Sequence, residues 1–293
     1  GGPAQGDPQS QPVTGTDGGG EVVAQALGPG GHRVHYREVG DPRHPVLVLI
    51  QGLGLDGRFW FEMPEMLAAD PQQPWRVLVP DNRGVGRSAM PRRPWTMADM
   101  ADDVAAVLDA AGVQQAVLAG ISMGGMIAQQ VALRHPERVR GLVLMATWPG
   151  LPYGKLPALR SVGDLIRPSL TGRRDIEGVA RILLPDAEIP RAREHLSGWI
   201  AAMREQAPTR EAFFGQLGAV VSHSTGHRLG RIRVPTKVVT GTEDRLIPPI
   251  NSRRLAARIP GATLELLPGV AHGVPMLDRQ VVRRNVSDLW ADL

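Results

Sequence analysis

The sequence predicts an α/β fold, a mainly parallel, doubly wound sheet of eight strands with a helical cap inserted after the sixth strand. Three observations predict it. Eight short apolar runs recur along the chain, and amphipathic stretches of helical spacing separate most of them. One long stretch, 148–231, carries helical patterns and no strand-like run.

Residues 1–20 are dominated by Gly, Pro, Gln, Ser, Thr and Asp, with almost nothing to bury, so this tail is expected to be disordered. Glu21–Leu27 and Arg33–Val39 flank a Gly-Pro-Gly-Gly turn and read as an antiparallel hairpin. Val46–Gln51, Arg76–Pro80, Ala116–Ile121 and Val139–Ala146 follow, then Thr236–Thr240 and Thr263–Leu267. The continuous Val/Leu/Ile runs among them suit parallel strands covered on both faces. Met97–Ala111 sets Met100, Val104, Val107, Leu108 and Ala111 on one helix face, with Asp99, Asp102 and Asp103 toward its start and Gly112 as its stop. Met123–Arg134 follows the strand at Ala116 after a very tight turn. Ile176–Leu183, Ala192–Glu205 and Arg210–Val221 are the helical patterns of the Pro- and Arg-rich stretch. The expected division is therefore a core of 21–147 and 232–293, with 148–231 as the cap.

Composition narrows the function classes. With 293 residues, 42% hydrophobic and 21% charged, the chain has the make-up of a soluble globular protein. It has no cysteine, which rules out disulfides, thiolate metal sites and a cysteine nucleophile. The net charge is only +4, and the basic residues (all arginine except Lys155 and Lys237) are scattered, so nucleic acid is not an expected partner. No apolar run is long enough to span a bilayer, so no membrane partner is expected either. A cytoplasmic location is the expectation. Secretion stays open, because the chain starts without Met and an export signal could have been removed.

The chemistry concentrates at strand ends. Gly120-Ile121-Ser122-Met123-Gly124 fits G-x-S-x-G between a strand and a helix. That context forces a sharp turn and exposes the serine hydroxyl. A Gly/Ser turn alone is common, so the motif counts only with its partners. A serine hydroxyl needs a base, and the base an orienting acid. Asp244 lies just past the strand Thr236–Thr240, and His272 just past Thr263–Leu267, at the carboxyl edge where such sheets bind ligands. The order serine, acid, histidine is that of serine hydrolases built on such sheets. Glu243 is a neighbouring rival to Asp244, which could instead cap a helix before Pro248. Backbone N–H groups of Met123 and Leu53 are the candidates for an oxyanion hole.

A competing motif lies earlier. Gly52-Leu53-Gly54-Leu55-Asp56-Gly57 spells G-x-G-x-x-G after a strand, with Asp81 at the spacing of a ribose contact. Pro64 in the following helix and the hairpin before the strand count against a dinucleotide site.

At these residues the chain resembles the α/β-hydrolase superfamily, particularly small bacterial esterases, enol-lactonases and haloperoxidase-like proteins. The resemblance runs from Arg33 to the C-terminus. It rests on Gln51–Gly54, Asp81–Ser88, Gly120–Ala128 with His135–Val139, and the pair Gly241–Asp244 and Ala271–Gly273. It implies that Asp81–Ser88 shapes a turn near the site. One departure is Gln51, where related sequences usually carry histidine. The serine nucleophile argues against the branches that attack with a carboxylate.

The expected reaction is hydrolysis of a carboxylic ester or lactone through an acyl-enzyme, with Ser122, Asp244 and His272 as the triad and no metal or cofactor. The expected partner is a small, apolar ester or lactone. Gln51, Trp60, Trp148, Trp199 and Phe213 are the candidate substrate contacts, although aromatic residues at helical spacing pack into cores more often than they line clefts. A thioesterase or enol-lactonase, a cofactor-free perhydrolase, and a ligand-binding protein with an idle triad remain as alternatives.

Overall fold

A computed structural model describes residues 15–17, 21–172, 176–205 and 207–293. The strands are β1 (Gly15–Asp17), β2 (Glu21–Leu27), β3 (Arg33–Val39), β4 (Val46–Ile50), β5 (Arg76–Pro80), β6 (Ala116–Ile121), β7 (Val139–Met145), β8 (Thr236–Gly241) and β9 (Thr263–Leu267). All eight predicted strands are present within a residue or so of their expected ends. β1 corrects the expectation of a wholly unstructured tail: it pairs antiparallel with β2, from Gly15 opposite Val23 to Asp17 opposite Glu21. Backbone pairing needs no apolar side chain, so composition does not announce it. The rest of the tail call, residues 1–14 and 18–20, lies outside the described residues.

The sheet order is β1-β2-β3-β5-β4-β6-β7-β8-β9. From β5 through β9 every pairing is parallel, and β1, β2, β3 and β5 meet antiparallel. The chain leaves β4 outward to β5, then returns to β4's other side for β6. The loops leaving β4 and β6 therefore diverge, which opens a crevice at the carboxyl ends of these two strands.

Helices cover both faces. They are α1 (Met63–Ala68), α2 (Met97–Ala110), α3 (Met123–Arg134), α4 (Leu159–Thr171), α5 (Ile176–Leu183), α6 (Ala192–His195), α7 (Ser197–Glu205), α8 (Arg210–Ser222), α9 (Ile250–Arg258), α10 (Val274–Leu277) and α11 (Arg279–Ala291). Alternation along the strands divides the core. Val48, Ile50, Leu118 and Leu144 pack with Met100, Val104 and Leu108 of α2 and Ile127 and Val131 of α3. Leu47, Leu49, Val117 and Val143 turn the other way, onto Met63 and Leu67 of α1 and Val286 and Leu289 of α11. Helix α2 starts at a reciprocal cap, Thr96 Oγ1 accepting from the Asp99 N–H and the Asp99 carboxylate accepting from the Thr96 N–H.

Between β7 and β8 the named elements are helical, α4 to α8. Sequence reading misses α4 because Gly163 and Pro168 depress its helical pattern, yet the helix runs on to Thr171. The segment leaves and rejoins the core at one place. Gly150 bridges Ser224, and the Thr225 N–H donates to the Pro149 carbonyl at 2.9 Å. Among the described residues no helix is long and apolar enough to cross a membrane.

Candidate active site

The turn from β6 into α3 is the tightest feature of the sheet edge. Ser122 sits at φ 54° and ψ −118°, a conformation costly for a residue with a side chain. Its surroundings hold it there. The Ser122 N–H donates to the Met145 carbonyl at 2.9 Å, and its own carbonyl accepts from Thr147 Oγ1 at 2.7 Å. A Cβ on Gly120 would collide with the Gly124 carbonyl, and one on Gly124 with the Ile50 carbonyl. The glycines of G-x-S-x-G are thus required by close backbone approach.

Asp244 and His272 arrive from the next two strand ends. Asp244 Oδ2 lies 2.7 Å from His272 Nδ1, and the Asp244 side chain is 0% exposed. Its other oxygen accepts from the Leu246 and Ile247 N–H groups at 3.0 and 2.7 Å. These three contacts all use the carboxylate as an acceptor, and accepting from the imidazole pairs it with a proton on Nδ1, which leaves the Nε2 lone pair free. Of the two neighbouring acids, Asp244 and not Glu243 makes this bond. Ser122 and His272 both line one cavity of about 350 Å³. An imidazole so held beside a serine hydroxyl can take up its proton.

The loop after β4 supplies the facing wall. The Gly52 N–H donates to Gln51 Oε1 at 3.0 Å, the Gly54 N–H to Gln216 Oε1 at 2.7 Å, and the Leu55 N–H to the Gly52 carbonyl at 3.3 Å. Between them the Leu53 N–H has no partner among the described residues, and neither does the Met123 N–H at the start of α3. Two uncommitted backbone donors flanking the serine are what an oxyanion would need.

Other walls of the cavity come from the helices between β7 and β8. Leu165, Val179, Ile182, Trp199, Ile200, Met203 and Phe213 line it, with Phe59 from the core. Asp164 is a polar exception. Bidentate hydrogen bonds from Arg181 (2.9 and 2.7 Å) hold its carboxyl below the ordinary aspartate range. The helices also touch the histidine loop directly, since the His272 and Gly273 N–H groups donate to the carbonyls of Ile182 and Leu183.

Of the expected substrate contacts, Gln51, Trp199 and Phe213 line the cavity and Trp60 and Trp148 do not. Trp60 is buried with Met63, Leu67 and Trp75 on one face of the sheet, and Trp148 on the other beside α3 residues. Both serve the core because packing rewards a large ring wherever it is enclosed. Leu165, Val179, Ile200 and Met203 were missed, since their apolar spacing is equally that of a helix packed on a neighbour. The competing glycine motif is also accounted for. Asp81 accepts from the Gly57 N–H at 2.8 Å, from His35 Nδ1 at 2.9 Å and from the Arg87 N–H at 2.9 Å. Three of its roughly four acceptor positions are spent on the turn, which accounts for its place without a ribose. Among the described residues no group of three or more His, Asp or Glu could hold a metal ion.

Residues 45–172 match the family model of the alpha/beta hydrolase fold. RutD of Caulobacter vibrioides, provisionally named a carbamate hydrolase, is 33% identical over 251 residues, covering 84% of this chain and 90% of that protein. A hydrolase from Pseudomonas aeruginosa superposes with a TM-score of 0.79 at 28% identity, over 94% of this chain and 99% of its own. The structure of an N-acyl homoserine lactone degrading enzyme gives a TM-score of 0.75 at 27% identity, over 90% and 99%. The resemblance and fold class expected from the motifs are both borne out.

Proposed function

The chain belongs to the α/β-hydrolase fold family, and on that footing we propose that it cleaves a carboxylic ester or lactone with Ser122, His272 and Asp244. The observation that carries this reading is the 2.7 Å Asp244–His272 bond beside a conformationally strained Ser122, in a cavity otherwise walled mostly by apolar side chains.

His272 Nε2 takes the Ser122 proton as the serine oxygen bonds to the substrate carbonyl carbon. The carbonyl oxygen becomes an oxyanion held by the Leu53 and Met123 N–H groups. The carbon–oxygen bond to the leaving alcohol breaks, and His272 returns its proton to that alcohol; in a lactone, the freed hydroxyl stays tethered to the acyl group. Water then repeats the sequence, giving up a proton to His272, and the acid is released as Ser122 regains its own. Asp244 keeps the imidazole in the required tautomer and supports its transient positive charge.

The cavity volume of about 350 Å³ sits at the small end of ligand pockets, and its apolar walls suit an acyl chain or ring of moderate size. The test is intact-mass labelling with a fluorophosphonate on wild type and Ser122→Ala, followed by a panel of esters, lactones, thioesters and carbamates. A single adduct that maps to Ser122 and disappears in the variant, with ester or lactone turnover, is expected. Turnover confined to thioesters or carbamates would move the substrate class while keeping the triad. Folded protein that takes no label and turns over nothing would favour a binding role.

A further inference from the structure

Two glutamines, both 0% exposed, tie the helices between β7 and β8 to the rest of the molecule. Gln129, on α3, works at the root of the segment: its Nε2 donates to the Trp148 carbonyl at 3.2 Å and its Oε1 accepts from Thr225 Oγ1 at 2.6 Å. Gln216, on α8, works at the other end. Its Oε1 accepts from the Gly54 N–H at 2.7 Å, and its Nε2 donates to the Arg83 carbonyl at 3.0 Å. Neither residue lines the cavity.

Their partners differ in one respect that matters. Gln129 binds groups away from the cavity. Gln216 binds the residue immediately after Leu53, whose own N–H has no partner among the described residues. Gly54 is itself left-handed (φ 74°), with the Phe213 ring 3.4 Å from where its Cβ would stand. The peptide linking Leu53 to Gly54 is therefore held by Gln216, with Phe213, one turn away on the same helix, packed beside Gly54. A buried amide with both ends satisfied has a single low-energy placement, because either lost bond leaves an unpaired polar group. Asn82 Nδ2, donating to the Gln51 carbonyl at 3.0 Å, fixes the other end of the loop.

We infer that Gln216 is a positioning residue for the oxyanion hole: the helical segment sets the place of the Leu53 N–H through the Gln216–Gly54 bond. This rests on the serine-hydrolase reading. Oxyanion donors act over tenths of an ångström and are effective only when fixed before charge develops. Loss of Gln216 should then weaken stabilisation of the tetrahedral state while leaving the cavity that receives substrate as it was.

The experiment compares Gln216→Met, Gln216→Glu and the control Gln129→Met with wild type. An ester turned over by wild type gives kcat and KM. An aryl trifluoromethyl ketone, which adds to Ser122 and forms an oxyanion, is set against the corresponding methyl ketone, which binds without adding. Gln216→Met is expected to lower kcat by about tenfold or more, with KM within threefold. Its affinity for the trifluoromethyl ketone should fall by a similar factor and that for the methyl ketone should hold. Gln216→Glu keeps an oxygen to accept from Gly54 and, in the neutral form that burial favours, an O–H to donate to the Arg83 carbonyl, so it should recover most of the loss. Gln129→Met should lower the melting temperature without separating the two ketones. Equal weakening of both ketones in Gln216→Met, or the same kinetic pattern in Gln129→Met, would overturn the inference. If Gln216→Met does not fold, Gln216→Glu decides: wild-type discrimination between the ketones supports the inference and its loss with KM unchanged refutes the Gly54 bond as the source. Wild type that neither hydrolyses esters nor takes a fluorophosphonate would instead remove the serine-hydrolase reading beneath it.

Discussion

The sheet and the helical segment above it border the same cavity and contribute opposite things to it. The sheet side brings the groups that can react: Ser122, His272, Gln51 and the Leu53 loop, each past the carboxyl end of a strand. The segment brings walls, largely Leu, Val, Ile, Trp, Met and Phe side chains. Their interiors differ as well. The two faces of the sheet carry large continuous clusters, whereas the segment's own cluster is Ala180, Leu184 and Leu196 with a few partly buried neighbours. Leu159, at the start of α4, is 90% exposed. A rigid sheet can hold reacting atoms in register, and a lightly cored helical cover can change its walls at small cost.

The comparison is tested hardest at the sheet edge. Ser122→Ala is expected to lower kcat/KM on the best ester by at least about 10⁴-fold, with Asp244→Asn close behind. The melting temperature of Ser122→Ala should hold, since alanine keeps the Cβ and with it the same backbone strain. Steady-state kinetics with a thermal melt checks both, and activity within tenfold of wild type would remove Ser122 from its role. Next in size is stability. Leu118→Ala, in a strand with helices on both sides, should cost about 2–5 kcal/mol in urea unfolding, and Leu165→Ala in the cavity wall less than about 1 kcal/mol. Equal costs would mean that the segment is cored as firmly as the sheet.

Trp199→Ala sharpens the comparison from the other side. Trp199 lines the cavity and packs edge-on against Phe59, ring centroids 5.8 Å apart. Its removal should change the ratio of kcat/KM between long and short acyl esters by about tenfold or more, with the shortest ester little affected. A uniform fall across the series would show that the segment governs reactivity as well as choice. At neutral pH the smallest effect belongs to His223, just past α8. Burial holds its imidazole down to about 3, well under the ordinary value of about 6.5. The unfolded chain then takes up a proton that the folded one refuses, so this contribution is whole above about pH 6.5 and is lost as pH falls toward 3. Denaturant unfolding at pH 7 and pH 5 should show a smaller pH-dependent loss in His223→Gln than in wild type, and parallel losses would exclude His223 as the source.

The same division explains what could be read from the sequence. Val46–Ile50 and Ala116–Ile121 announce themselves because strands covered on both faces need unbroken apolar runs. Ser122, Asp244 and His272 are legible because each follows a strand and each is a residue type with specific chemistry. Trp60 and Trp148 mislead because a buried indole gives one signal whether it meets a core or a cleft. Leu165 and Val179 hide for the converse reason. Gln216 is invisible in sequence: a single glutamine in a helix looks like a solvated one, and only the fold brings it to Gly54, 162 residues away. Strand β1 is defined by its pairing with β2, which no residue pattern marks.

The shared root of the helical segment has a further consequence. Because the chain departs at Gly150 and returns at Ser224 across a single bridge, everything between the two can change in length or content without stretching the sheet. The segment behaves as a cassette rooted at one clasp and tied to the core again by Gln216 at Gly54 and by the Ile182 and Leu183 carbonyls at the histidine loop. A relative's segment grafted between Pro149 and Thr225 inherits the clasp from the backbone. To leave the reacting edge in register, it needs to bring a buried amide for Gly54 and two carbonyls for the histidine loop.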